Sequence, residues 1–234
     1  MAINSVWVCK YDERFIFEDL VASLKNDDYF EETTTMNVLK HKVDIKEECE
    51  ENDLKFIFGK YGYEYEANAR SPKITKERII DTGDLIVKSK VIGFWIDNKH
   101  RIIFSLKDNK SKNYFANYFL GSESYISNVN IDLDKVHSAI NDGNLSGMWA
   151  HSFEDRENNI NKGTVYGTQV NEDPIFIETI EATKKFAGII KDIGDEEIKM
   201  RLYHDGGIQI YGGVIEPDNP LLFAIIDDFD EFFE

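Results

Sequence analysis

A tight hairpin between residues 93 and 106 is the feature that most constrains how this chain can fold. Apolar side chains flank Asp97-Asn98-Lys99 on both sides, and Asp and Asn tolerate the positive φ angle that a tight turn requires. Similar patterns predict a hairpin over residues 54–65, with its turn at Gly59–Gly62, and another hairpin around residues 204–207. Antiparallel strand pairs are therefore expected to recur along the chain.

Helices are predicted between these strands. Apolar residues at helical spacing predict helices over residues 17–24, 111–120, 133–140 and 175–193, and Gly121 and Gly194 end two of them. Further strands are predicted over residues 3–11, 33–39, 85–91, 147–153 and 163–170, with a charged connection over residues 46–53. Helices mixed with hairpins indicate an α+β fold, with mixed, mostly antiparallel sheets built from hairpins and packed helices. The polar run at residues 121–130 suggests two subdomains, residues 1–121 and 122–234.

Composition favours a cytoplasmic protein. The sequence contains no run of about 20 apolar residues that could span a membrane, and residues 1–9 lack the features of a signal peptide. The two cysteines, Cys9 and Cys49, are far apart in sequence, which is typical of free thiols in a reducing compartment. Frequent Ile, Lys and Asn residues are typical of an AT-rich genome, so we expect a bacterial or phage origin.

The net charge of −17 is distributed unevenly. Residues 1–54 carry a net charge of −8, residues 55–112 carry +6, and residues 113–234 carry −15. Such a negative field repels nucleic acid and acidic membranes and attracts basic proteins. The first hypothesis is therefore a non-enzymatic inhibitor or adaptor in phage–bacteria conflict. It would dock on a basic partner such as a nucleic-acid-binding protein, because carboxylates can stand in for phosphate oxygens.

The C-terminal tail contains the candidate partner-binding residues. The 33 residues after Arg201 hold eight carboxylates and no cation, and aromatic rings stand between the last carboxylates. Solubility alone does not require such rings, so the tail either packs on its own domain or docks on the partner. The predicted partner-binding residues are Asp227, Asp228, Phe229, Asp230, Glu231, Phe232 and Phe233.

The basic middle segment supports a second hypothesis, the binding of nucleic acid. Residues 55–112 interleave cations with aromatic side chains, a combination that attracts phosphates and stacks on bases. The candidate residues are Lys88, Lys90, Lys99 and Arg101, and the acidic tail would compete with the nucleic acid. Alternation along a strand produces the same pattern when the aromatic residues fill the core and the lysines face water.

Motifs for catalysis are weak. The histidines lack metal-ligand spacing, and we predict no cofactor and no metal site. The polar cluster at residues 151–157 is predicted to be a solvated loop. Glu197 and Lys199 are similar to half of a metal-dependent nuclease site, which needs a second carboxylate on a neighbouring strand. The nearest acids, Asp192 and Asp195, are predicted to lie in the preceding turn, so a nuclease is the third hypothesis.

Overall fold

The fold mixes helices and strands, and antiparallel sheet dominates it. The computed structural model describes residues 5–51, 53–69, 72–74, 79–81, 84–142, 145, 147–154, 162–179, 182–193, 196–211 and 221–234. The strands within these residues are β1 (Ser5–Tyr11), β2 (Tyr29–Thr33), β3 (Val38–Glu51), β4 (Leu54–Ala69), β5 (Pro72–Ile74), β6 (Ile79–Asp81), β7 (Asp84–Asp97), β8 (Arg101–Phe104), β9 (Ile126–Asn128), β10 (Gly147–Glu154), β11 (Lys162–Tyr166), β12 (Thr183–Ile193), β13 (Glu196–Tyr203) and β14 (Gly207–Tyr211). The helices are α1 (Phe17–Asn26), α2 (Asn109–Phe115), α3 (Leu133–Asn141), α4 (Pro174–Glu178) and α5 (Leu221–Asp228). The predicted α+β class is confirmed at this coarse level.

One large antiparallel sheet connects both halves of the chain. Within the described residues its strand order is β11-β10-β12-β13-β14-β1-β8-β7-β4-β3-β2, with β9 paired to β1, while β5 and β6 pair separately. β1, near the N-terminus, pairs with β14, near the C-terminus, and Val6 lies opposite Ile208. Hydrogen bonding therefore continues across the predicted boundary at residue 121, and the division into two subdomains stays a prediction.

Helices cover the sheet on both faces. Alternate residues of β1 point to opposite sides: Val6 and Val8 enter a core with α3 and α5, and Trp7 and Cys9 enter a second core with α1 and α2. We call these sides the first and the second face of the sheet. The described part of the second core includes no residue of β10 to β14, and the described helices that pack on those strands lie on their first face.

The predicted helices at residues 17–24 and 133–140 are confirmed, and their local chemistry explains them. In α1, Leu20 and Leu24 lie one turn apart and are buried against the sheet. α3 begins where the Asp132 carboxylate accepts hydrogen bonds from the backbone N–H groups of the first helical turn. None of the helices in the described ranges is long and apolar enough to cross a membrane.

The predicted hairpins at β7–β8 and β13–β14 are also confirmed. In the first turn, His100 adopts a positive φ of 60°. In the second turn, Gly206 has a φ of 80°, and a Cβ atom there would lie 2.5 Å from the Val129 carbonyl oxygen. Glycine is therefore required at this turn for both its backbone angle and its lack of a side chain.

The prediction of a long helix over residues 175–193 is wrong. Among the described residues of this range only those of α4 are helical, and residues 183–193 form β12, which pairs with both β10 and β13. Gly188 shows why a strand is preferred, because a Cβ atom there would lie 2.7 Å from side-chain atoms of both Ala150 and Trp149. The close approach of a neighbouring strand, which local propensity does not reveal, decides the conformation.

Two further predictions near the start of the basic segment are wrong. Residues 54–69 form one continuous strand instead of a hairpin that turns at Gly59–Gly62. A Cβ atom at Gly59 would lie 2.7 Å from the Phe94 ring, so this glycine makes room for an aromatic side chain and forms no turn. The expected charged connection over residues 46–53 is mostly strand, because β3 continues through it in register with β4.

Candidate interaction surfaces

The C-terminal tail packs on its own domain. α5 and the 3-10 turn after it place Phe229 and Phe232 in the first core, with exposed fractions of 0% and 4%. Backbone hydrogen bonds between residues 130–132 and 232–234 hold the end of the chain beside α3. Phe233 is half-buried. The rings of Phe229 and Phe232 could contact a partner only after leaving the core, which opposes their predicted role as docking anchors.

The tail carboxylates differ in their surroundings. The tail carboxylates exposed to solvent are Asp228, Asp230, Glu231 and Glu234. Asp227 is half-buried, accepts a hydrogen bond from Lys99 Nζ at 2.7 Å, and lies 2.5 Å from Arg101 Nη1. Burial alone would raise the pKa of Asp227, but the two cations outweigh it and hold the pKa below its usual value. Asp227 therefore fastens the tail to the β7–β8 hairpin.

The four cations predicted to bind nucleic acid do not form one patch. Arg101 has an exposed fraction of 0% and donates from Nε to Asp97 Oδ2 at 2.6 Å, so its burial corrects the expectation that it contacts phosphate. Lys90 donates to a carboxylate of the loop before α2 at 2.6 Å, and Lys99 pairs with the tail. Lys88 is exposed. Lys88 lies roughly 30 Å along β7 from the hairpin turn, because a strand extends about 3.3 Å per residue.

The candidate nuclease pair lies at the end of a hairpin. Glu197 and Lys199 are exposed on β13. Asp192 lies in β12, directly opposite Glu197, so its predicted place in the turn is wrong. Asp195 lies outside the described residues. The second carboxylate on a neighbouring strand that the third hypothesis requires is therefore present, but nowhere in the described ranges do three potential metal ligands converge.

The histidine of the predicted polar loop is buried, so that prediction is wrong for His151. β10 carries this ring into the first core, where it lies 5.1 Å from the ring of His137 and bonds Thr179 at 3.0 Å. Burial lowers the pKa of His137 to about 3 and that of His151 to about 4. His137 lines a cleft of about 840 Å³, and the same cleft contains the ion pair between Lys184 and Asp134. The rest of the predicted loop, residues 155–161, lies outside the described residues.

The second face of β10 to β14 carries an aromatic cluster around an arginine. We call it the aromatic face, and its members are Trp149, Tyr166, Phe186, Lys199, Arg201, Tyr203 and Tyr211. The Arg201 guanidinium carbon lies 4.2 Å from the centroid of Phe186 and 5.3 Å from that of Trp149. Lys199 Nζ lies 4.4 Å from the centroid of Trp149. Tyr166, at the outer strand, has an exposed fraction of 61%.

Sequence reasoning did not identify this face, although β13 carries a signal for it. Lys199, Arg201 and Tyr203 alternate with the buried Met200 and Leu202, as expected for a strand with one core face. The other rings come from strands that are distant in sequence. Only the strand order places them beside Arg201.

The opposite end of the sheet exposes a strand edge. In the described part of the chain β2 pairs with β3 alone, so its other side has no strand partner. We call the following residues the acidic edge: Asp27, Asp28, Tyr29, Phe30 and Glu31. The side chain of Tyr29 is 47% exposed, and that of Phe30 is 42% exposed. Exposed edges of this kind are templates for pairing with another chain.

Comparisons with known proteins found no matching family model, no matching curated protein and no matching solved structure.

Proposed function

We propose that the protein is a non-enzymatic, cytoplasmic interaction protein whose acidic surface docks on a basic protein partner. Nucleic-acid-binding proteins are one class of such partners, and phage–bacteria conflict is the proposed setting. The acidic edge is the observation that carries the proposal, because it combines unpaired backbone groups, exposed rings and carboxylates. An extended basic segment could add to the sheet there, with main-chain hydrogen bonds for affinity and charge for selectivity.

Hydrogen bonding between β2 and β3 shows which backbone groups are available. The Val43 N–H donates to the Asp28 carbonyl at 2.8 Å, and the Thr34 N–H donates to the Asn37 carbonyl at 2.8 Å. In an antiparallel pair, residues that bond the partner strand alternate with residues that do not. The N–H and C=O groups of residues 29, 31 and 33 therefore point away from β3, towards an incoming strand.

Substitutions at Glu31 test this arrangement. Proline removes the outward N–H but no bond to β3, whereas glutamine removes only the charge. The tagged protein and its variants would be used for capture from nuclease-treated lysate of the native host. We expect Glu31→Pro to abolish capture of the partner and Glu31→Gln to weaken it. Melting temperatures would show that both variants fold.

A tail variant serves as the matched control. Glu231 is an exposed carboxylate of the tail and is not part of the acidic edge. Capture that survives Glu31→Pro and is lost with Glu231→Gln would move the proposed partner site from the acidic edge to the tail carboxylates. If all variants captured the partner equally well, neither the acidic edge nor the tail carboxylates would be the partner site.

A further inference from the structure

Arg201 is an arginine without an acidic partner in the described residues. Its Nη1 donates a hydrogen bond to the Tyr203 hydroxyl at 3.3 Å, and its Nε is buried without a hydrogen-bond acceptor among these residues. Aromatic rings on five positions surround the guanidinium and do not neutralise its charge. The buried Nε is out of reach of an added anion, so an anion would bind the guanidinium through its terminal N–H groups, and phosphate is an anion that guanidinium groups bind especially well.

The rings beside Arg201 offer surfaces for stacking. Tyr166 lies nearly parallel to Trp149, with ring centroids 6.1 Å apart and an interplanar angle of 28°. Tyr203 and Tyr211 are half-buried and share Gln209 as hydrogen-bond acceptor, at 3.1 and 2.8 Å, which fixes their hydroxyl groups. Every nucleobase has a π face, so an open sheet with ordered tyrosines can stack unpaired bases.

We propose that the aromatic face binds single-stranded nucleic acid. Bases would stack on Tyr166 and its neighbouring rings, while backbone phosphates would contact Arg201 and Lys199. Cation and rings together favour this ligand over an apolar peptide, which would leave the guanidinium without an anion. The site is separate from the acidic edge and does not depend on the function proposed there.

The acidic surface does not prevent such binding at physiological salt. Seven strand steps separate β13 from β2 in the sheet, which is about 34 Å at about 4.8 Å per step. Charges are screened over about 8 Å at 0.15 M salt. The ligand therefore meets the two cations of the aromatic face together with two nearby carboxylates, because the exposed Glu197 lies two residues from Lys199 on β13 and Asp192 lies opposite Glu197. Two phosphate contacts on a single strand predict a shallow salt slope, about −1.4 in log K against log salt.

Fluorescence anisotropy with labelled dT20 and rA20 tests the proposal, and the two probes distinguish DNA from RNA. We expect binding to single strands and at least tenfold weaker binding to a duplex of equal length, because paired bases cannot stack on the protein. Tyr166→Ala should lower the affinity by about 5- to 100-fold. Lys199→Glu should lower the affinity and make the salt slope shallower.

Two substitutions on other parts of the sheet are matched controls. Tyr29→Ala removes an exposed tyrosine from the acidic edge, and Lys88→Glu reverses an exposed lysine on β7. We expect both to bind the probes like the parent protein, except for a small uniform effect of the added charge. Tyr166 and Lys199 are exposed, so their variants should melt like the parent.

Any of the following outcomes would overturn the proposal: no binding of either probe at 100 µM protein, unchanged affinity in both aromatic-face variants, equal binding of duplex, or loss of binding only with Lys88→Glu. Competition by dTMP at the same concentration as the oligonucleotide would also overturn it, since it would indicate a mononucleotide site. Competition by polyglutamate would overturn it as well, because the face would then bind acidic peptides. We expect partner capture by the acidic edge to survive Tyr166→Ala. Failure of one proposal can therefore be distinguished from failure of the other.

Discussion

Replacing Phe229 by alanine should destabilise the protein strongly. The ring has an exposed fraction of 0%, and its centroid lies 5.9 Å from that of Phe232. Lys191 Nζ covers the ring at 5.4 Å from its centroid and also pairs with Asp228 at 3.2 Å. Alanine would leave a cavity beneath the tail, because the backbone on either side is held by α5 and by residues 130–132.

The size of the effect follows from the burial of the ring. A buried Phe→Ala substitution lowers the free energy of unfolding by about 3–5 kcal/mol. For a domain of this size, each kcal/mol corresponds to about 2–4 °C in melting temperature. Phe229→Ala should therefore melt about 6–20 °C below the parent. Phe233→Ala is the control, because that ring is half-buried, and it should cost about 1 kcal/mol or less.

Thermal unfolding followed by circular dichroism, with urea unfolding as a second measure, would determine both values. A shift below about 2 °C for Phe229→Ala, equal to that of Phe233→Ala, would refute the reasoning, since it would show that the tail is not packed in solution. The aromatic rings would then be available to a partner. In that case, deletion of residues 227–234 should leave the melting temperature unchanged and weaken partner capture.

Three further predictions concern buried histidines, thiols and catalysis. The folded protein holds the pKa of His137 at about 3 and that of His151 at about 4. Below about pH 6.5 the unfolded chain therefore binds more protons than the folded protein. The free energy of unfolding should fall by up to about 3 kcal/mol per histidine by pH 4. His137→Leu should reduce this loss in urea unfolding measured across that range. A thiol reagent should modify one cysteine in the native protein and two after unfolding, because Cys9 is buried, with its pKa raised to about 12, and Cys49 is partly exposed. Purified protein should show no cleavage of DNA or RNA with Mg²⁺ or Mn²⁺, and cleavage abolished by Glu197→Gln in a normally melting variant would contradict the non-enzymatic proposal.

Local patterns predicted the elements whose structure depends on nearby residues. The turn at Gly206 needs a positive φ angle, which a glycine indicates directly, whereas in the turn after Asp97 the positive φ falls on His100 and not on Asp97 or Asn98. α1 and α3 have apolar residues at helical spacing, so each helix has one face that can be buried on a sheet. The class of the fold follows from these elements. The tail is an intermediate case. Its composition indicated that its aromatic rings must be covered, but it did not indicate whether the protein's own core or a partner covers them.

The sequence by itself thus determined the β7–β8 and β13–β14 hairpins, the helices α1 and α3, the uneven charge and the α+β class, since each depends on neighbours within a few residues. Only the tertiary structure decided that residues 183–193 form a strand, that Arg101 is buried with Asp97 and Asp227, and that the tail fills the core. The aromatic face belongs to the same group. These features depend on contacts between residues far apart in the chain, and the energy of burial and pairing at such contacts outweighs local propensity.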